Sequence, residues 1–266
     1  MSLKKYIIAT ASSLLVSGFV QATPLITASD ISFGELLIPI PAQSIYGAPA
    51  TARGEFLNKL NGTAGSHDFE NNGIWNLADT PLGVRFNNGT TGTGANVIDA
   101  TLAGTGQVGT ATGGRFNTTA GGSRFLQVST GTEFTLSFST AIAAFGFYGT
   151  DIGDFEGSLT VYLRHAGGTE VDMFDVRSGS DTAPSGSLLF WGFASLNASY
   201  DQIRFVSTLR PNSNDPADKF GFDDFVVADR SQIRVSAPGG NVPEPATLAL
   251  AGLALLGAAL ARRRRA

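Results

Sequence analysis

Carboxylates supply the residues whose types and spacing could do chemistry in this 266-residue chain. Residues 150–156 read Thr-Asp-Ile-Gly-Asp-Phe-Glu, so Asp151, Asp154 and Glu156 place oxygen ligands in a tight, glycine-assisted turn. Hard oxygen donors of this kind suit Ca²⁺, although the spacing is not that of an EF-hand loop. The same residues also suit an ordinary acidic hairpin turn with Asx bonding. A second set lies near both ends of the exported region: His67-Asp68-Phe69-Glu70, and the run 220–229, FGFDDFVVAD, which holds Asp223 and Asp224. These carboxylates either cap turns and face solvent or act together. In a simple strand Asp223 and Asp224 point to opposite faces of the sheet, which would prevent both from serving one site.

Catalytic chemistry has little to draw on. There are no cysteines and two histidines, His67 and His165, so a thiolate site is excluded and a histidine metal cluster is nearly so. No G-x-S-x-G elbow seats a serine nucleophile, and no Walker-type glycine loop cradles a phosphate. A paired-carboxylate glycosidase or lyase site is not pinned to any residues, so the expectation is a non-catalytic protein. Aromatic side chains offer a binding alternative, because Trp75 and Tyr148 can stack on sugar rings wherever they lie on a solvated face. Trp191, inside the apolar run LLFWGF, reads as buried.

The two chain ends say where such a protein goes. Val242-Pro243-Glu244-Pro245 leads into the apolar run 246–261, closed by Arg262, Arg263, Arg264 and Arg265. As a helix the run reaches about 24 Å at 1.5 Å per residue, slightly short of a hydrocarbon core of about 30 Å. Snorkelling arginines and local thinning close that gap, and the arginines keep the end of the chain cytoplasmic, with everything upstream outside. At the other end, Lys4 and Lys5 precede an apolar stretch over 6–20, and Val20-Gln21-Ala22 fits signal-peptidase cleavage after Ala22.

The C-terminal stretch VPEPATLALAGLALLGAALARRRRA resembles the sorting signal of PEP-CTERM proteins: a Pro-Glu-Pro triplet, a short hydrophobic helix and a basic tail. The resemblance implies export across the inner membrane of a Gram-negative bacterium and removal of the tail by an exosortase. The product is then at the cell surface or outside the cell, in organisms that usually also make exopolysaccharide. Two prolines hold Glu244 extended and non-helical beside the membrane, which suits a processing site.

Without both ends the charge balance changes. The chain has 18 basic and 22 acidic residues; the signal takes two lysines and the tail takes four arginines and Glu244, leaving 12 against 21, or −9. Such a surface disfavours nucleic acid and anionic lipid, and it is compatible with divalent cations and neutral glycans.

Period-two alternation identifies the elements that must position the carboxylates. Phe134, Leu136 and Phe138 alternate with Thr135 and Ser137; Leu159, Val161 and Leu163 alternate with Thr160 and Tyr162; Ile203 and Phe205 flank Arg204. The Gly-, Thr- and Asn-rich segment 81–131 carries short apolar pairs, such as Val84 with Phe86, and reads as short strands joined by glycine turns. Phe56, Leu57 and Leu60 share one side of a short helix over 48–60, with Gly62 as its stop. The expected architecture is all-β: an antiparallel β-sandwich of jelly-roll type with a short N-terminal helix, an N-terminal signal peptide and a single C-terminal transmembrane helix. Its expected divisions are a signal peptide (1–22), an arm with the helix (23–65), the sandwich (66–235), a linker (236–241) and the sorting signal (242–266).

The pairing of D-F-E at the front with D-D-F-V-V at the back is also similar to MAM-like and carbohydrate-binding jelly rolls, whose first and last strands meet. That resemblance implies a structural Ca²⁺ held by an acidic residue from each end, here Glu70 with Asp223 or Asp224. It also makes a carbohydrate-binding module the first alternative to a surface or matrix protein, with a secreted glycan-cleaving enzyme as the second.

Overall fold

The computed structural model describes residues 31–36, 47–61, 64–86, 97–110, 116–153, 157–177, 183–209 and 218–234. The expected signal peptide, Asp154, the apolar run 246–261 and the Pro-Glu-Pro triplet lie outside them. Among the described residues no helix is long and apolar enough to cross a membrane.

Two antiparallel sheets pack face to face as a β-sandwich. The first runs β1 (Ile31–Leu36), β12 (Leu188–Ala194), β9 (Ala144–Thr150), β14 (Lys219–Ala228), β7 (Arg124–Ser129), β6 (Gln107–Thr110) and β3 (Trp75–Asn76). A short strand, β2 (Gly65–His67), pairs with the second half of β14, beyond the part that pairs with β7. The second sheet runs β11 (Val171–Arg177), β10 (Gly157–His165), β13 (Tyr200–Leu209), β8 (Glu133–Ile142), β5 (Ile98–Gly104) and β4 (Leu82–Phe86).

The second sheet follows the sequence alternation. Leu82, Val84 and Phe86 of β4, with Phe134, Leu136 and Phe138 of β8, are buried, and their neighbours face water. Between the sheets the core is dominated by phenylalanine. Phe134 and Phe205 stack with centroids 4.5 Å apart and 10° between planes, and Phe145, Phe147, Phe222 and Phe225 surround them mostly edge to face or tilted.

The first sheet departs from alternation: every residue of β9 and β12 is buried. The reason is α1 (Gly47–Asn58), which lies on the outer face of this sheet and buries Pro49, Ala52 and Phe56. Gly146 and Gly192 stand side by side on neighbouring strands beneath it. A Cβ on Gly146 would come within 2.8 Å of Phe190 Cζ and 3.3 Å of Phe56 Cε1, and one on Gly192 within 3.0 Å of Phe56 Cδ2. The paired glycines form the hollow that receives Phe56.

Strand β1 is an edge strand of the first sheet, in register with β12 from Ile31 to Leu36, and α1 is part of its cover.

Phe56 is fully buried in that hollow, so Phe56→Ala is expected to destabilise the domain by about 3–5 kcal/mol. Gly146→Ala should cost about 1–3 kcal/mol through overpacking, as measured by urea denaturation.

Candidate functional site

Strand β14 changes partner along one edge, from β7 at Phe222 to β2 at Phe225, and its register with β9 slips between Asp223 and Val226. The slip is a bulge, with Asp224 in the left-handed region at φ 50°. It corrects the simple-strand expectation that the two carboxylates point apart, because both instead reach Thr118 on the loop that joins β6 to β7.

Asp223 is fully buried and organises this loop. Its Oδ2 accepts from the backbone N–H groups of Thr118 (2.7 Å) and Thr119 (3.2 Å), and its Oδ1 from the N–H of Asp224 (2.8 Å). The Thr118 hydroxyl lies 3.1 Å from Asp223 Oδ2 and 2.8 Å from Asp224 Oδ2, while the Thr119 hydroxyl donates to Asp224 Oδ1 at 3.0 Å. One hydroxyl proton cannot satisfy two carboxylates at once. Burial, reinforced by the neighbouring charge of Asp224, pushes the Asp223 carboxyl well above the usual carboxylate range.

Glu70 closes the other end of the same loop. Its Oε1 accepts from the N–H groups of Ser123 and Arg124, both at 2.7 Å, and from Asn117 Nδ2 at 3.5 Å. A Cβ at Gly122 would stand 2.3 Å from Glu70 Oε1, so a larger residue there would have to displace the Glu70 carboxylate. Asn117 is 3% exposed, and its Oδ1 is buried without a hydrogen-bond partner. Phe69, Phe116 and Asp224 all adopt positive φ around this loop, a cost that its hydrogen bonds must hold in place.

The structure thus joins Glu70, Asp223 and Asp224 through Asn117, Thr118 and Thr119 rather than by direct contact. Among the described residues no three His, Asp or Glu side chains converge as a metal-ligand set. The loop residues were missed in sequence because Asn117-Thr118-Thr119 looks like turn chemistry, with nothing to tie it to residues more than a hundred positions away.

Asp151 belongs to a different place. It is fully buried at φ 63°; its N–H donates to Ser187 O at 2.8 Å, and its Oδ1 accepts from the N–H of Gly186. These bonds tie the end of β9 to the turn before β12.

The two aromatic candidates for glycan contact differ in setting. Trp75 is half-buried, with its ring packed against the core and its Nε1 donating to Thr80 O at 2.8 Å. Tyr148 is 5% exposed, packed edge-on against Phe190 with Arg53 over its ring, and burial pushes its phenol up to about 12. Tyr148 lies on the outer face of the first sheet, which α1 covers.

The two histidines occupy separate settings. His165 Nε2 is 3.1 Å from Asp172 Oδ2, which also accepts from the Tyr200 hydroxyl. His67 Nδ1 bonds the Arg85 carbonyl at 3.2 Å, Nε2 lies 2.9 Å from Asn72 Oδ1, and its ring meets Phe69 at 4.8 Å.

The described sandwich thus offers a buried polar loop anchor. Residues 241–265 match the PEP-CTERM protein-sorting motif. That motif implies export, processing by an exosortase and sorting to the surface or exterior of a Gram-negative cell. No curated protein matches it. Among solved structures it is similar to TmCBM61 in complex with β-1,4-galactotriose, at 14% identity over 49% of this chain and 88% of that chain, with a TM-score of 0.32. It is also similar to two cleaved adhesin domains of Lys-gingipain, each at 12% identity. One covers 62% of this chain and 99% of its own, with a TM-score of 0.34. The other, from Porphyromonas gingivalis, covers 63% and 99%, with a TM-score of 0.32.

Burial holds His67 below its ordinary value of 6.5. The unfolded chain then binds the proton more readily than the folded one, so the stability contributed by neutral His67 is complete above pH 6.5 and is lost as pH falls below 6.5 toward the folded value. The denaturation midpoint should drop more between pH 7.5 and pH 5 in the wild type than in His67→Gln; equal drops would remove His67 as the cause.

Proposed function

We propose that the sandwich is a non-catalytic surface or matrix module that remains with exopolysaccharide once exosortase has removed the tail. The sorting motif at 241–265 carries this reading, because it delivers the domain to the compartment where exopolysaccharide accumulates. The acidic balance of the exported region supports a neutral glycan over nucleic acid or anionic lipid. A carbohydrate-binding module differs in predicting measurable affinity for a defined glycan, and a glycan-cleaving enzyme in predicting release of reducing sugar. Intact mass of the product should show loss of residues 1–22 and of everything from about Pro243. The processed chain should co-fractionate with extracellular polysaccharide without releasing reducing sugar. Glu244→Ala should leave export intact and retain Arg262 to Arg265 in a membrane-bound form. A stable wild-type species that keeps those arginines in cells with active exosortase would defeat the reading.

A structural Ca²⁺ at the 117–124 loop is a second part of this reading, favoured by one observation: the orphaned, buried Oδ1 of Asn117 beside Glu70. Glu70, Asn117 and Asp224 are the residues that would hold it. Asp223 is assigned to the loop backbone instead, since its oxygens accept three backbone N–H groups, whereas those of Asp224 meet only threonine hydroxyls, which can turn away. Binding to the folded state alone adds about 2.7 kcal/mol at a hundredfold excess over Kd. For a domain of this size that is about 5–10 °C in Tm. Chelator should remove the shift, Glu70→Gln and Asp224→Asn should abolish most of it, and Asp151→Asn should keep it. Identical melting in calcium and in chelator would exclude the ion.

A further inference from the structure

The outer face of the second sheet carries a shallow open depression of about 610 Å³ across β4, β5 and β8. Its outward side chains are Arg85, Asp99, Thr101, Ser137 and Ser139, above the bare backbone of Gly83. A Cβ on Gly83 would meet nothing within 4 Å, so the floor is open rather than packed.

Three features define the ligand chemistry. Arg85 and Asp99 form a two-point pair, Nε to Oδ1 at 2.8 Å and Nη2 to Oδ2 at 3.4 Å, with side chains 65% and 51% exposed. An ion pair this exposed adds little to stability, yet it presents fixed donors beside fixed acceptors. Second, the hydroxyls differ in what they leave open. Ser137 Oγ accepts from Gln202 Nε2 at 3.2 Å and Ser139 Oγ from the N–H of Asp99 at 3.2 Å, which leaves their own protons available, and Thr101 has no side-chain hydrogen bond among the described residues. Third, the apolar residues at the depression are buried: Val84 is 2% exposed, Ala100 6% and Phe138 8%.

A ligand for this surface must bring hydroxyls that donate and accept at once. It meets no large exposed apolar side chain, and among the described residues lining the depression it finds no free cation, because Asp99 neutralises Arg85. We propose that this depression binds a neutral, hydroxyl-rich polysaccharide, with vicinal hydroxyls bridging Arg85 and Asp99 and a third reaching Thr101 or Ser137. The proposal rests on the reading of the domain as an exopolysaccharide-associated module and places the contact on residues other than those of the 117–124 loop, Trp75 and Tyr148. The net charge of the exported region, −9 by the count above, opposes polyanionic glycans on the same surface.

Affinity electrophoresis of the processed chain tests it, with gels containing neutral galactan, xylan or mixed-linkage β-glucan, and alginate as the polyanion. Retardation is expected in at least one neutral gel and not in alginate. Asp99→Asn and Thr101→Tyr should each weaken it at least tenfold, with melting close to wild type because both positions face water. No retardation in any neutral gel, retardation in alginate alone, or retardation unchanged in both variants would each overturn the proposal. Should both variants still co-fractionate with the producing cell's own polysaccharide, this site falls while the broader reading stands. Loss of co-fractionation in the wild type would remove the broader reading itself.

Discussion

Sealing both faces of the β9–β12–β14 region from water is the constraint that the rest of the molecule answers to. Antiparallel sheets usually leave one face solvated, and this one cannot, because Tyr148, Phe190 and Val226 lie on the outside of the first sheet as firmly as Phe147, Trp191 and Phe225 lie on the inside. Helix α1 covers one part of that outer face and the 116–124 loop covers another. The glycines follow from the same requirement. Gly146 and Gly192 make room for Phe56, and at Gly221 a Cβ would stand 2.3 Å from Phe116 Cβ.

Covering the outer face also explains why so polar a cluster sits on β14. A loop laid against a sheet brings backbone N–H groups that no strand can satisfy, and a buried donor left unpaired costs about 1–3 kcal/mol. Asp223 and Glu70 between them take four such N–H groups from Thr118, Thr119, Ser123 and Arg124. The bulge is what lets two consecutive aspartates share this task. Its left-handed Asp224 is held by the N–H bond back to Asp223 and by the Thr118 and Thr119 hydroxyls. The Oδ1 of Asn117 and the Nη1 of Arg124 are buried without partners, so the polar groups of this loop are not all satisfied.

The sorting motif lies in the tail, apart from the sandwich in sequence. The tail works as a linear string of two prolines, a glutamate, apolar residues and arginines, so it needs no tertiary partner to be read. The domain ahead of it is joined through the described end at Arg234, whose N–H donates to Lys59 O and whose Nε donates to Leu60 O at the far end of α1. That attachment leaves the outer face of the second sheet clear of the helix.

What the sequence determined alone is whatever depends on neighbours along the chain. Alternation at Phe134–Phe138 and Leu159–Leu163 identified strands, the spacing of Phe56, Leu57 and Leu60 predicted a helix over 48–60 where α1 spans Gly47–Asn58, and the sorting motif was legible because it is a contiguous run of sequence. The tertiary structure decided everything that depends on which faces are covered. Tyr148 was a candidate for sugar contact until α1 covered it, while Trp75 stays half-buried, and Asp223 and Asp224 looked opposed until the bulge brought both to Thr118. Asn117, Thr118 and Thr119 had no signal, because their partners come from far along the chain: Glu70 for Asn117, and β14, over a hundred residues later, for Thr118 and Thr119. Arg85 and Asp99 became a pair only because the β4–β5 register places them opposite each other. Period and propensity are local quantities, whereas burial and pairing are properties of the assembled sheets.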